Sequence, residues 1–143
     1  MSTTIRPEVS EKSPYYISRH RYYELKHFVM QLPEWVRYLK EFEGKYPNQS
    51  KVEARRTDIY GYDPTEIEVE RREYYRERIK MVIECLEKSF DEIPNRDLDH
   101  VLEAVTTGLS YEDIRARYNV PMSKEYYYIR YRKFFWTLSQ ARK

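Results

Sequence analysis

Ser110 and Ser123 stand thirteen residues apart, with Asn119 and Pro121 between them. A serine hydroxyl can accept a bond from the free N–H groups at a helix start, asparagine tolerates the left-handed backbone that ends a helix, and proline cannot continue one. The order therefore predicts a short helix, a tight turn and a second helix, with no room for a strand pair. Just upstream, Leu98, Val101, Leu102 and Val105 recur at spacings of three and four after Pro94, and Gly108 supplies a stop. Three helices in succession end the chain. With only three Gly in 143 residues, hairpins built on Gly turns are disfavoured elsewhere as well, so the chain reads as all-α.

The rest of the chain carries the same period. Residues 1 to 13 lack an apolar pattern and read as a mobile tail. Ser18 is positioned as an N-cap, followed by a stripe of Tyr22, Leu25, Val29 and Leu32. Pro33 opens a second helix with Trp35, Tyr38, Leu39 and Phe42 inward, and Gly44 is expected to end it, so residues 14 to 45 form an N-terminal helix pair. Residues 46 to 62 mix Pro, Asn, Gln, Ser and Gly and read as a connector holding a helical turn around Val52 to Arg56. Asp63, Pro64 and Glu66 predict the start of a long central helix over 63 to 92. Its inward stripe is Ile67, Tyr75, Ile79, Val82, Ile83, Leu86 and Phe90, with Cys85 a semi-buried apolar residue. Residues 93 to 143 then form the helix-turn-helix region.

Composition narrows the function classes. No apolar run approaches the roughly 20 residues of a membrane span, and Met1 to Ser13 lacks a secretory apolar core. One cysteine makes no intrachain disulfide, which fits a reducing cytoplasm, and gives no weight to the sequon at Asn48. No Gly-rich phosphate loop, metal-ligand spacing or nucleophile order is present, so no catalytic residue, metal ligand or cofactor is expected. His20 and His27, seven apart, and His100 lack a ligating neighbour and read as surface or packing residues. Asp97 and Asp99 point about 200° apart on a helix and cannot converge on one substrate.

The net charge of +2 hides an asymmetry. Val120 to Lys143 holds six basic residues against Glu125 alone, a net +5, whereas Asp91 to Asn119 carries a net −4. A polyanion would therefore meet the end of the chain. On the last helix, 100° per residue places Tyr127, Tyr128, Tyr131, Phe134, Phe135 and Leu138 on one arc and Tyr126, Arg130, Lys133 and Thr137 on the opposite one. An apolar arc for the domain and a basic arc for DNA are what a major-groove helix requires. The DNA-contacting set is Ser123, Lys124, Tyr126, Tyr127, Arg130, Arg132 and Lys133. Ser123 and Lys124 would approach phosphate, Tyr126 and Arg130 the base edges, and Lys133 the flanking backbone. Ile129 and Trp136, on a third face, are left for the N-terminal helices or a partner.

The stretch from Gly108 through Ser110, Asp113, Ile114, Tyr118, Asn119 and Val120 to Ser123 resembles the helix-turn-helix of sigma factor region 4 and related regulators. With Tyr15 to Phe28 and Tyr126 to Leu138, whose tyrosines come in runs, the chain is similar to the RinA and ArpU type of phage and prophage transcriptional regulators over most of residues 14 to 140. That resemblance implies a small helical activator of phage late or packaging genes in the cytoplasm of a bacterial host, with double-stranded DNA, RNA polymerase and a homo-oligomer as candidate partners. The residue after Ile114, usually small in such motifs, is Arg115, which predicts a wider crossing or a shifted register. Two other functions fit the same residues: a DNA-packaging or replication component such as a small terminase subunit, and an RNA polymerase-binding or other protein-interaction adaptor that does not touch DNA.

Overall fold

The computed structural model describes residues 13–47 and 64–142, and every regular element among them is a helix. In chain order they are α1 (Arg19–Val29), α2 (Leu32–Lys45), α3 (Glu66–Ser89), α4 (Asn95–Thr107), α5 (Tyr111–Tyr118) and α6 (Lys124–Ala141). The protein is all-α, as its periodicity predicts. No helix among the described residues is long and apolar enough to cross a membrane. The expected tail, the helical turn at Val52 to Arg56 and the Asp63 cap lie outside the described residues.

The helices sort into two compact units. Residues 32–80 make one, so α2 groups with the start of α3, while α1 groups with α4, α5, α6 and the end of α3. α1 and α2 are adjacent in sequence and belong to different units.

In the smaller unit the ring of Trp35 stacks on Tyr75 at 6.2 Å, and Tyr38 meets the same ring edge-on at 5.2 Å. Gly44 does not end α2. The helix runs on to Lys45 because Phe42 and Tyr46 are both buried, and burying two aromatic rings outweighs the roughly 1 kcal/mol that a helical glycine costs. The start of α3 also differs from expectation. Thr65 Oγ1 accepts from the Glu68 N–H at 3.0 Å and Glu68 Oε1 accepts from the Thr65 N–H at 2.9 Å, a reciprocal cap two residues beyond the one expected at Asp63 and Glu66. Glu68 also accepts from Lys45 Nζ at 2.9 Å and from the Tyr46 hydroxyl at 2.8 Å. Ile67, expected inward, is 67% exposed, because α2 covers the side of α3 that carries Tyr75.

The larger unit holds most of the core. Leu25, Val29, Val82, Val101, Ile114, Phe134, Phe135 and Leu138 are fully buried, each contributing about 1.5–3 kcal/mol by its removal from water. Cys85 is buried outright rather than half-buried, and burial pushes its thiol pKa up. Beside it the Ser89 hydroxyl donates to the Cys85 carbonyl at 2.8 Å. α1 lies against α6. Tyr22 and Tyr131 share a buried hydroxyl contact of 2.7 Å, and Arg21 Nε donates to Ser139 Oγ at 3.0 Å while its Nη2 reaches the Ser139 and Arg142 carbonyls.

Candidate nucleic-acid interface

The helix-turn-helix is built by its caps. Ser110 Oγ accepts from the Asp113 N–H and Asp113 accepts in return from the Ser110 N–H, a complete capping box. The bond from the Ser110 N–H, together with the Ser110 hydroxyl, holds the Asp113 carboxyl below its ordinary pKa. After eight residues the helix, Tyr111–Tyr118, stops at Asn119, whose φ of 50° and ψ of 49° are left-handed. Ser123 then caps α6 by accepting from the Tyr126 N–H at 3.1 Å. All three signals in the sequence do what their chemistry predicts.

α5 is pinned on both sides. The Tyr118 hydroxyl donates to Glu103 of α4 at 2.5 Å, its ring lies parallel to His100 at 3.8 Å, and Arg117 reaches the other Glu103 oxygen at 3.3 Å. Toward the turn, the Tyr111 hydroxyl donates to the Met122 carbonyl at 2.6 Å, with Val120 and Met122 buried beneath. Arg115 stays out of the helix contact. Its side chain turns along α5 and donates to the Tyr111 hydroxyl at 3.2 Å, leaving Ile114 to fill the core.

Around α6 the inward arc is the expected one: Tyr127, Tyr128, Tyr131, Phe134, Phe135 and Leu138 are buried. Tyr127 must therefore leave the DNA-contacting set. It is 1% exposed, packed against Phe90 and Tyr111, and desolvation drives its phenol far above the ordinary pKa. The arc of Tyr126 and Arg130 is not open either. Arg130 Nη2 lies 3.4 Å from Glu92, in the loop between α3 and α4, and its guanidinium sits 5.0 Å from the Tyr126 ring centre. The Tyr126 hydroxyl is buried and has no hydrogen-bond partner among the described residues, and burial raises its pKa. Both side chains are half-buried, and Arg130 stands beside the Glu92 carboxylate.

What α6 leaves open is a neighbouring face. Ser123, Lys124 and Glu125 are exposed at its start, Ile129 is 50% exposed in its middle, and Arg132 and Lys133 are half-exposed beside it. Among the described residues neither Arg132 nor Lys133 forms an ion pair, whereas Lys124 lies 2.6 Å from Glu112, and that contact raises the lysine pKa and lowers the glutamate. Trp136, on neither arc of the helix, packs on Tyr15 at 5.7 Å. The structure thus leaves Arg132 and Lys133 on one accessible side with Ile129 and Glu125, Lys133 bordering Tyr126, whereas Lys124 at the start of the helix turns the other way, to Glu112 and the Tyr128 ring. The signal for Ile129 is its mismatch with both arcs. Among the described residues no group of His, Cys, Asp or Glu side chains is arranged to hold a metal ion.

No family model, no curated protein and no solved structure matches the chain.

Proposed function

We propose that the chain is a sequence-specific DNA-binding transcription regulator that reads the major groove with α6, of the kind implied by its resemblance to RinA and ArpU regulators, and that it activates phage late or packaging genes. The observation that carries this reading is the open face of α6. It begins at a capped helix N-terminus, where the N–H groups of Lys124 and Glu125 have no acceptor within the helix. It continues through Ile129 to Arg132 and Lys133, two cations without an ion pair among the described residues. Such a face offers phosphate contacts at its ends and base-edge contacts in its middle.

Arg132 replaces Arg130 as the leading guanine reader, because a guanidinium that no carboxylate holds can present its two-pronged donor fork to a base. Selection of binding sites from a random duplex pool tests the reading. Wild-type protein should enrich one motif, and Arg132→Ala should lose about 1–3 kcal/mol on that motif and relax its preference at one position. A pool that stays unenriched after repeated rounds contradicts specific recognition.

The exposed Ile129 favours one alternative, an adaptor that docks a protein through the same face without touching DNA. It predicts no salt-dependent DNA binding. A small terminase-like packaging component would bind DNA but assemble as a ring, which its mass would reveal.

A further inference from the structure

Within the larger unit, the end of α3 and the start of α4 flank an open cleft of about 260 Å³. Its floor is aliphatic, with Ile83 and Leu86 from α3 and Leu98 and Leu102 from α4. Leu86 is sealed, but the other three stay half-exposed. All three stand at positions whose period turns them inward, and Val101 and Val105 of the same α4 series are buried. The apolar stripe of α4 is thus wider than the chain's own core covers. At the rim stand Glu87 from α3 and Asp99 from α4, both exposed and neither in an ion pair among the described residues. Among those residues no lysine, arginine or aromatic ring lines the cleft.

Size and chemistry together narrow what fits there. A free metabolite or cofactor is held in an enclosure of roughly 300–1,000 Å³, more than this open cleft offers, whereas one or two apolar side chains projecting from a partner fill it. Proline-rich segments dock on aromatic rings and extended segments on the edge of a sheet; the cleft has no ring, and the described residues hold no strand. A helix laid between two helices remains, with apolar anchors three or four residues apart. Two unpaired carboxylates at the rim, one from each helix, make positive flanks the complementary ones.

We propose that the cleft between α3 and α4 is the docking site for a basic amphipathic helix of a partner protein, whose aliphatic side chains enter over Leu86 while its lysines or arginines meet Glu87 and Asp99. None of the lining comes from α5 or α6, so the site is separate from the helix-turn-helix and is measured without DNA.

The test is an NMR titration of the full chain, isotope-labelled at its Ile and Leu methyl groups, with three synthetic peptides. One carries leucines at spacings of three and four with lysines elsewhere, one has glutamates in place of the lysines, and one has serines in place of the leucines. The leucine and lysine peptide should shift the methyls of Ile83, Leu86, Leu98 and Leu102 saturably, and the other two should bind at least about tenfold more weakly. Glu87→Lys and Asp99→Lys together should weaken the first peptide by at least about tenfold, while Glu41→Lys and Glu43→Lys together, the same charge change on α2, should leave its affinity within about twofold. The methyls of Leu25 and Leu138 in the core should stay in place in both variants, which shows that both are folded. Cleft methyls that do not move, equal affinity for the glutamate or serine peptide, or a loss as large from the α2 pair as from the cleft pair overturns the proposal. So does a shift of the same methyls with protein concentration alone, which makes a second copy of the chain the occupant.

Discussion

The hydroxyls of Tyr22 and Tyr131 meet at 2.7 Å inside the core and join α1 to the middle of α6. Around them Phe135 meets Tyr22 edge-on at 5.2 Å, and Tyr131 packs on Phe135 at 5.0 Å. Burial and the adjoining phenols hold the Tyr131 hydroxyl protonated. α6 thus takes its position from the first helix of the chain as well as from its own turn.

Removing either hydroxyl breaks their buried contact, and removing both breaks it only once. Tyr22→Phe and Tyr131→Phe should each cost about 1–2 kcal/mol by urea unfolding, and the double variant should cost less than their sum. Strict additivity would show that the two hydroxyls do not depend on each other.

Three backbone positions should respond differently. Gly44 lies within α2 with open space where a side chain would go, so Gly44→Ala should stabilise by roughly 0.5–1 kcal/mol. Gly108, at φ 78°, and Asn119, at φ 50°, are left-handed. Gly108→Ala should destabilise by about 1 kcal/mol or more, and Asn119→Gly should be neutral or better. Thermal unfolding reads all three, and a Gly108→Ala variant as stable as wild type contradicts the role of that turn.

Glu68 gives the cleanest pH dependence. Bonds from the Thr65 N–H, Lys45 and Tyr46 hold its pKa at about 2, below the ordinary 4.5. A depressed carboxylate stabilises the fold above its unfolded pKa, and that contribution is lost as pH falls from about 4.5 toward 2. Carbon-detected NMR titration should show Glu68 still ionised at pH 3, and Glu68→Gln should flatten the acid limb of the stability curve. A Glu68 midpoint near 4.5 would contradict the bonded arrangement.

Much of this fold is legible in the sequence because its signals are local. Ser18, Ser110 and Ser123 cap, and Gly108 and Asn119 stop, through bonds to residues within a turn of themselves. The inward arc of α6 follows from period alone. The outward side does not, because periodicity tells which face is polar but not what covers it. The loop carrying Glu92 approaches Arg130 from 38 residues away, and nothing near Arg130 in sequence announces it. Gly44 misleads for a similar reason, since its local cost is outweighed by the burial of Phe42 and Tyr46. Ile67 looks inward as part of an apolar series, yet α2 covers a different side of α3.

The proximity of Glu92 to Arg130 yields a prediction of its own. Arg130 is held beside a carboxylate and Arg132 is not, so Arg132→Ala should weaken DNA binding more than Arg130→Ala does. Glu92→Gln should strengthen non-specific binding a few-fold by removing a negative charge near the interface. Equal losses from both arginines would return Arg130 to the DNA-facing side.

The most direct test of DNA recognition by α6 is fluorescence anisotropy with random-sequence duplex DNA across a salt series, comparing wild type with a variant carrying alanine at Lys124, Arg130, Arg132 and Lys133. Wild type should bind at low salt with a steep negative slope of log affinity against log salt. The variant's slope should be shallower by about 0.9 for each phosphate that its missing cations no longer neutralise. Absence of binding at low salt, or a variant with the wild-type slope, would contradict the assignment of α6 to DNA.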